Sequence, residues 1–138
     1  MIVNTAYIYM GSSGGPVNPV IFQYNEINYK YSGTNFTETA EGFKMTGASE
    51  LVFTGLDLSN FAKLGVQVYN SSSSTVTLII NFIDSSGNAS ASITWRVDKG
   101  THMSRNFTIP TEYKKPKTKI KFSTTNGRNI VLHYAKLS

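Results

Sequence analysis

Residues 63–88 read KLGVQVYNSSSSTVTLIINFIDSSGN, two apolar runs on either side of four consecutive serines. In the first run Leu64, Val66 and Val68 alternate with Lys63, Gln67 and Tyr69. Successive side chains of a strand leave opposite faces, so a period of two predicts a half-buried β-strand. In the second run Val76, Leu78, Ile80 and Phe82 share one face, while Thr77, Ile79 and Asn81 make the other. That second face is partly apolar, which predicts a strand inside a sheet rather than at its edge. The serines are turn chemistry, and so is SSGN at 85–88, where Gly87 can take positive φ.

The same pattern continues in both directions. ASASITWRV sets Ile93, Trp95 and Val97 on one face and Thr94 and Arg96 on the other. RNFTIP brings Phe107 and Ile109 together and stops at Pro110. KTKIKFS turns Ile120 and Phe122 inward and Lys117, Lys119 and Lys121 outward. TTNGRN predicts a turn at Asn126–Gly127, and IVLHYAKL a final strand. Upstream, VIFQY, INYKY, GFKMT and ELVFT read as four more strands and NTAYIYM as a fifth, with GSSGGPVNP as a loop. LDLSNFAKLG allows one helical turn at most. Nearly a third of the chain is Ser, Thr or Asn, clustered between short apolar runs. About ten short antiparallel strands predict an all-β sandwich or barrel. A single domain over 1–138 is expected, with an N-terminal strand and Gly/Pro loop at 1–19 and the body at 20–138.

Composition narrows the chemistry. With no cysteine there is neither a disulfide framework nor a thiolate metal site. His102 and His133 lack ligand-like spacing and are expected to be surface or packed side chains, so no metal and no cofactor are predicted. The eight carboxylates are scattered; Glu38 and Glu41 are near neighbours in TETAEG, without the apolar surroundings that split a glycosidase pair. GSSGG lacks the lysine of a phosphate-binding loop. No catalytic residue is predicted, and the chain is read as a non-enzyme. The N-terminus has no basic segment followed by a long apolar core, and no run approaches the ~18 apolar residues of a membrane helix. The expectation is a product made in the cytoplasm without a signal peptide and with no membrane partner.

Net charge is +5, unevenly spread. Residues 1–100 hold five basic and seven acidic groups, and residues 101–138 hold eight and one. The run YKKPKTKIKF at 113–122 alone has five lysines. Lys117, Lys119 and Lys121 therefore form a candidate patch, either for an anionic polymer or as guards of an exposed sheet edge. Phe122 falls in the inward register and Tyr113 at a strand end, so the aromatic platform a single-stranded nucleic acid needs is missing, and nucleic acid is not an expected partner.

The order from Phe43 onward resembles carbohydrate-binding modules of the jelly-roll, galactose-binding-like β-sandwich type. VQVYN, then SSSS, then IINFIDSSGN matches their strand ending in Asn, small polar turn, and strand ending F-x-D-x-x-G. Trp95, Phe107 with Ile109, Ile120 with Phe122, and Ile130 with Leu132 follow in the same order. The resemblance covers about two thirds of the chain and implies a jelly-roll β-sandwich and a glycan ligand. Many such modules hold a structural calcium through an acid in the last strand; LHYAKL offers His133 and Lys136 there instead. In composition the chain also resembles accessory tail or baseplate proteins of phages that infect Gram-positive bacteria. That implies a virion setting, with host cell-wall glycan or an anionic wall polymer, other virion proteins or further copies of the chain as partners. A purely structural virion part that mediates subunit contacts without binding sugar is the alternative.

Sugar rings stack apolar C–H faces on aromatics and present hydroxyls to amide and charged groups. Taking the strands KLGVQVYN and TVTLIINFID as the two central ones, Gln67, Tyr69 and Asn81 would share an outward face, with Arg96 on the next strand. Tyr29 and Tyr31 would extend this candidate carbohydrate site.

Overall fold

The computed structural model describes residues 17–138, and side chains at all of these except 126–128. The strand expected at NTAYIYM lies outside the described residues. Nine strands follow: β1 (Val20–Gln23), β2 (Glu26–Ile27), β3 (Tyr31–Thr39), β4 (Gly42–Leu56), β5 (Lys63–Asn70), β6 (Val76–Ile83), β7 (Ile93–Val97), β8 (His102–Thr108) and β9 (Thr118–Leu137). A short 3₁₀ turn covers Thr111–Tyr113. LDLSNFAKLG forms no helix and enters β5 directly.

β9 is the axis of an antiparallel jelly-roll sandwich. One of its edges pairs with β4, from Leu56↔Thr118 to Phe43↔Leu132, and β3 pairs in turn with β4. The other edge takes β6 along the first half, Leu78↔Thr124 to Ile83↔Lys119, and β5 along the second, Asn70↔Ile130 to Leu64↔Leu137. β7 flanks β6, β8 flanks β5, and the β1–β2 hairpin takes up the edge of β9 near Ala135 and Lys136. One layer is thus β7-β6-β9-β4-β3, the other β8-β5-β9 with β4, β1 and β2.

The long strands must bend to serve both layers. Ten residues of straight strand span about 33 Å, yet the rings of Phe43 and Phe53, both on β4, are 5.6 Å apart. Phe22 fills the corner, 4.9 Å from Phe43 and 5.3 Å from Phe53. The bend lies where β3, β4 and β9 shift register together. Positive φ accompanies it at Asn35 (58°), Gly47 (70°) and Asn129 (66°). The turn expected at Asn126–Gly127 is therefore corrected. Gly127 pairs with Gly47, and the chain runs on through a twenty-residue strand. GFKMT and ELVFT likewise fuse into the fifteen residues of β4. Turn-forming residues here fold a paired ribbon over instead of reversing it, as bulges do.

The core takes the inward row of every strand from β4 to β9, including Leu64, Val66 and Val68 of β5 and Leu78, Ile80 and Phe82 of β6. Trp95 is 2% exposed and meets Phe107 across the layers, rings 5.4 Å apart. It is core, as its alignment with Val97 predicted.

The β6–β7 turn is organised by Asp84, whose carboxylate accepts backbone N–H bonds from Ser86 (3.0 Å) and Asn88 (2.9 Å). The Asn88 bond above all, then that of Ser86, with Lys115 at 3.6 Å, holds its carboxyl below the usual range. A depressed folded value means that Asp84 stabilises above the unfolded carboxyl value and that this stability is lost as pH falls through the folded one. Asp84→Asn is expected to be less stable than wild type at pH 7, and the gap to narrow as pH falls through the depressed folded value. A gap in urea midpoint that stays constant from neutral into acid pH would show that charge at Asp84 is not what organises the turn.

Candidate functional site

The outer face of the second layer carries a row set by strand register. Tyr69 of β5 lies opposite His102 of β8, Gln67 opposite Ser104, Gly65 opposite Asn106 and Lys63 opposite Thr108. Tyr69 and His102 stack, ring centres 4.2 Å apart at 23°, and His102 lies 5.6 Å from His133 at 17°. The Gln67 amide donates to the Ser104 hydroxyl at 3.2 Å. Gly65 leaves room for the side chain of Asn106, whose Oδ1 would be 2.7 Å from any Cβ there.

β9 supplies two adjacent outward residues by an irregularity. Gln67 pairs with Tyr134 but Val68 with Leu132, so His133 is an extra residue in its strand. Such a bulge lets His133 and Tyr134 both face out, where strict alternation would hide one. The His133 Nδ1 lies 2.9 Å from the Glu41 carbonyl oxygen. A carbonyl only accepts, so Nδ1 carries the hydrogen. That bond ties β9 to the β3–β4 hairpin.

Tyr24 closes the far side. It sits at the tip of the β1–β2 hairpin, where Gln23 pairs with Glu26 and Asn25 takes φ +56°. It is 65% exposed, the one large apolar side chain standing free among the described residues. Its hairpin is braced by Glu26, whose carboxylate accepts from the amides of Asn28 and Gln23, both at 2.6 Å. Those bonds, Asn28 first, hold the Glu26 carboxyl below its usual range. Lys136 lies 4.4 Å over the Tyr134 ring.

Together Tyr24, Glu41, Gln67, His102, His133 and Tyr134 line an open cleft of about 280 Å³. Its lining combines two phenol and two imidazole rings, their hydroxyls and ring nitrogens included, with Gln67 and Glu41. The described residues contain no group of three or more His, Cys, Asp or Glu side chains placed to hold a metal.

The residues singled out from sequence fall in several places. Gln67 lines the cleft and Tyr69 stands beside it. Asn81 does not join them, because β5 and β6 lie in different layers along successive halves of β9. Its amide donates to the Ser90 carbonyl and the Ser92 hydroxyl, both at 3.1 Å, and pins the β6–β7 loop. Arg96 is exposed on β7, in the other layer. Tyr29 is buried with its hydroxyl on the Asn18 carbonyl at 2.8 Å. Tyr31 packs at 5.0 Å from Phe43 and donates its hydroxyl to the Glu38 carboxylate; burial, then Glu38, raises its pKa. Lys119 is exposed and Lys121 pairs with Glu50 at 3.6 Å. β9 is paired on both edges, so these lysines do not guard a sheet edge, and that part of the expectation is corrected. Lys117 precedes the strand.

Sequence reasoning missed Tyr24, Glu41, His102, His133 and Tyr134. Only the Tyr24–Asn25 step between VIFQ and EI, a two-residue turn exposing an aromatic, could have signalled one of them.

No protein-family model and no curated protein sequence matches the chain. Solved structures share its fold. PfGH50B superposes with a TM-score of 0.67 at 11% identity, covering 88% of this chain and 23% of that one. A family 6 carbohydrate-binding module superposes with a TM-score of 0.56 at 10% identity, over 90% of this chain and 98% of the module. CsCBM6-3 from Clostridium stercorarium, solved in complex with cellobiose, gives 0.56 at 14% identity, over 91% and 98%. The chain therefore has the β-sandwich fold of such modules and spans about a quarter of the length of PfGH50B.

Proposed function

We propose that the protein binds glycans without cleaving them, through the cleft on the outer face of its second layer. The observation that carries this reading is one open cleft that gathers the exposed Tyr24, the His102–His133 pair, Tyr134 and Gln67. The exposed ring of Tyr24 offers a stacking surface for a pyranose face, while the Gln67 amide and Glu41 suit ring hydroxyls. Glu41 is the single carboxylate in the lining. Hydrolysis by the usual route needs a pair of acids across the bond, and binding needs none. The likeness in fold to carbohydrate-binding modules supports the same reading.

Calorimetry against a panel of neutral polysaccharides and their oligomers tests it. Tyr24→Ala should leave the fold intact, because the side chain stands free, and weaken binding about tenfold or more, some 1.4 kcal/mol. Equal affinity of Tyr24→Ala and wild type would remove the cleft from the proposal. A tail or baseplate setting is the finer part of the reading, supported by the cysteine-free, Ser/Thr/Asn-rich composition; mass spectrometry of purified virions would detect the chain or refute the setting.

A further inference from the structure

A second charged surface lies on the opposite side of the sandwich. The outer face of the first layer presents Lys119 and Lys121 of β9 beside Ile83 of β6 and Val52 of β4, while Arg96 of β7, opposite Thr77, lies six residues farther along β6. Lys117 precedes Lys119 by two residues, immediately before β9 begins. Two acids near this face are engaged, Glu50 by Lys121 and Asp84 by Lys115, each at 3.6 Å. Lys117, Lys119 and Arg96 have no ion-pair partner among the described residues.

The backbone supplies a second, independent observation. Among the described residues four non-glycine residues take positive φ, and three are asparagines, which tolerate it best; the fourth is Lys117 at +60°. A strained conformation held by a long cationic residue, where Asn or Gly would be easier, points from strain to a use for the charge.

We propose that Lys117 and Lys119 form a binding surface for an anionic polysaccharide, separate from the aromatic cleft. The chemistry recognised is a row of carboxylate or phosphate groups along a flexible chain, held by screened Coulomb attraction. A single-stranded nucleic acid would add base stacking, but the outward residues of this layer, from Ser32 and Thr34 through Val52, Ser123 and Ile79 to Thr94, include no aromatic.

Affinity electrophoresis and calorimetry with alginate, poly(dT) and neutral dextran test the assignment. Wild type should bind alginate, bind poly(dT) more weakly and dextran not through this face. The alginate affinity should fall about tenfold between 50 and 300 mM NaCl. Lys119→Gln and Lys117→Asn should each weaken alginate binding at least threefold, while Lys117→Asn keeps or raises the melting temperature, because strain is relieved. Tyr24→Ala should bind alginate as wild type does, which separates this surface from the cleft. The proposal is overturned if alginate is not bound, if poly(dT) binds more tightly, if the double variant Lys117→Asn/Lys119→Gln binds alginate like wild type, or if Tyr24→Ala abolishes the binding.

Discussion

Gly42→Ala is expected to destabilise the protein by about 3–4 kcal/mol, a fall of roughly 10 °C or more in melting temperature. Gly42 is buried at the start of β4 with φ +130°, a region open in practice to glycine alone. A Cβ there would lie 1.9 Å from the Leu132 carbonyl oxygen and 2.9 Å from its carbon. Both atoms belong to the backbone of β9, so no side chain can rotate aside, and the hairpin must lift from the sheet. Gly47→Ala is the matched control. Its φ is also positive, at 70°, but nothing lies within 4 Å of the added carbon. That variant should carry only the conformational cost of about 1–2 kcal/mol. Chemical denaturation of the two side by side checks the argument; a Gly42→Ala no less stable than Gly47→Ala would show that the close approach to Leu132 is not what demands glycine. The folded fraction of Gly42→Ala should also bind ligand poorly, because the neighbouring Glu41 carbonyl positions His133 in the cleft.

How far the chain could be read in advance follows from what alternation encodes. It encodes which face a residue takes, and β5, β6, β7 and the lysine row of β9 obey it. It does not encode which strand lies alongside. Gln67 and Asn81 both point outward, yet they point out of different layers, since β9 is long enough for β5 and β6 to share one of its edges in succession. Tyr29 and Tyr31 do share a face, as INYKY implied; it is the inner one, affordable because each hydroxyl finds an acceptor, the Asn18 carbonyl and the Glu38 carboxylate. His133 and Tyr134 defeat any period-two reading, because one extra residue in β9 turns both outward. His102 enters the cleft only through its pairing opposite Tyr69, thirty-three positions earlier in the chain, and long-range register leaves no local mark. Turn chemistry was legible as punctuation but not in kind: Asn and Gly at the centre of β4 and β9 bend the ribbon where they were expected to end it.

Asn70→Asp should be among the most damaging isosteric changes in the molecule, at about 3–4 kcal/mol near neutral pH. Asn70 ends β5 and is fully buried. Its amide nitrogen donates to the carbonyls of Ser74 (2.8 Å) and Val97 (2.9 Å). Its oxygen accepts from the Ser72 backbone N–H (2.9 Å) and hydroxyl (2.7 Å). One side chain thus closes the serine turn onto itself and ties it to β7. An aspartate keeps the two acceptor contacts but turns a donor toward two carbonyls into a carboxylate facing them, buried and charged. Burial and those carbonyls favour its protonated form, so its folded pKa lies above the unfolded value. Stability of the variant should then be highest below the unfolded carboxyl value of ~3.9 and fall as pH rises toward the raised folded value. Protonated, it regains one of the two donors. Urea unfolding at pH 4 and pH 7 reads this directly: the deficit relative to wild type should be larger at pH 7. A deficit that is small, or equal at both pH values, would mean that the Ser74 and Val97 carbonyls do not depend on Asn70, and that the serine turn holds its shape through its own hydroxyls.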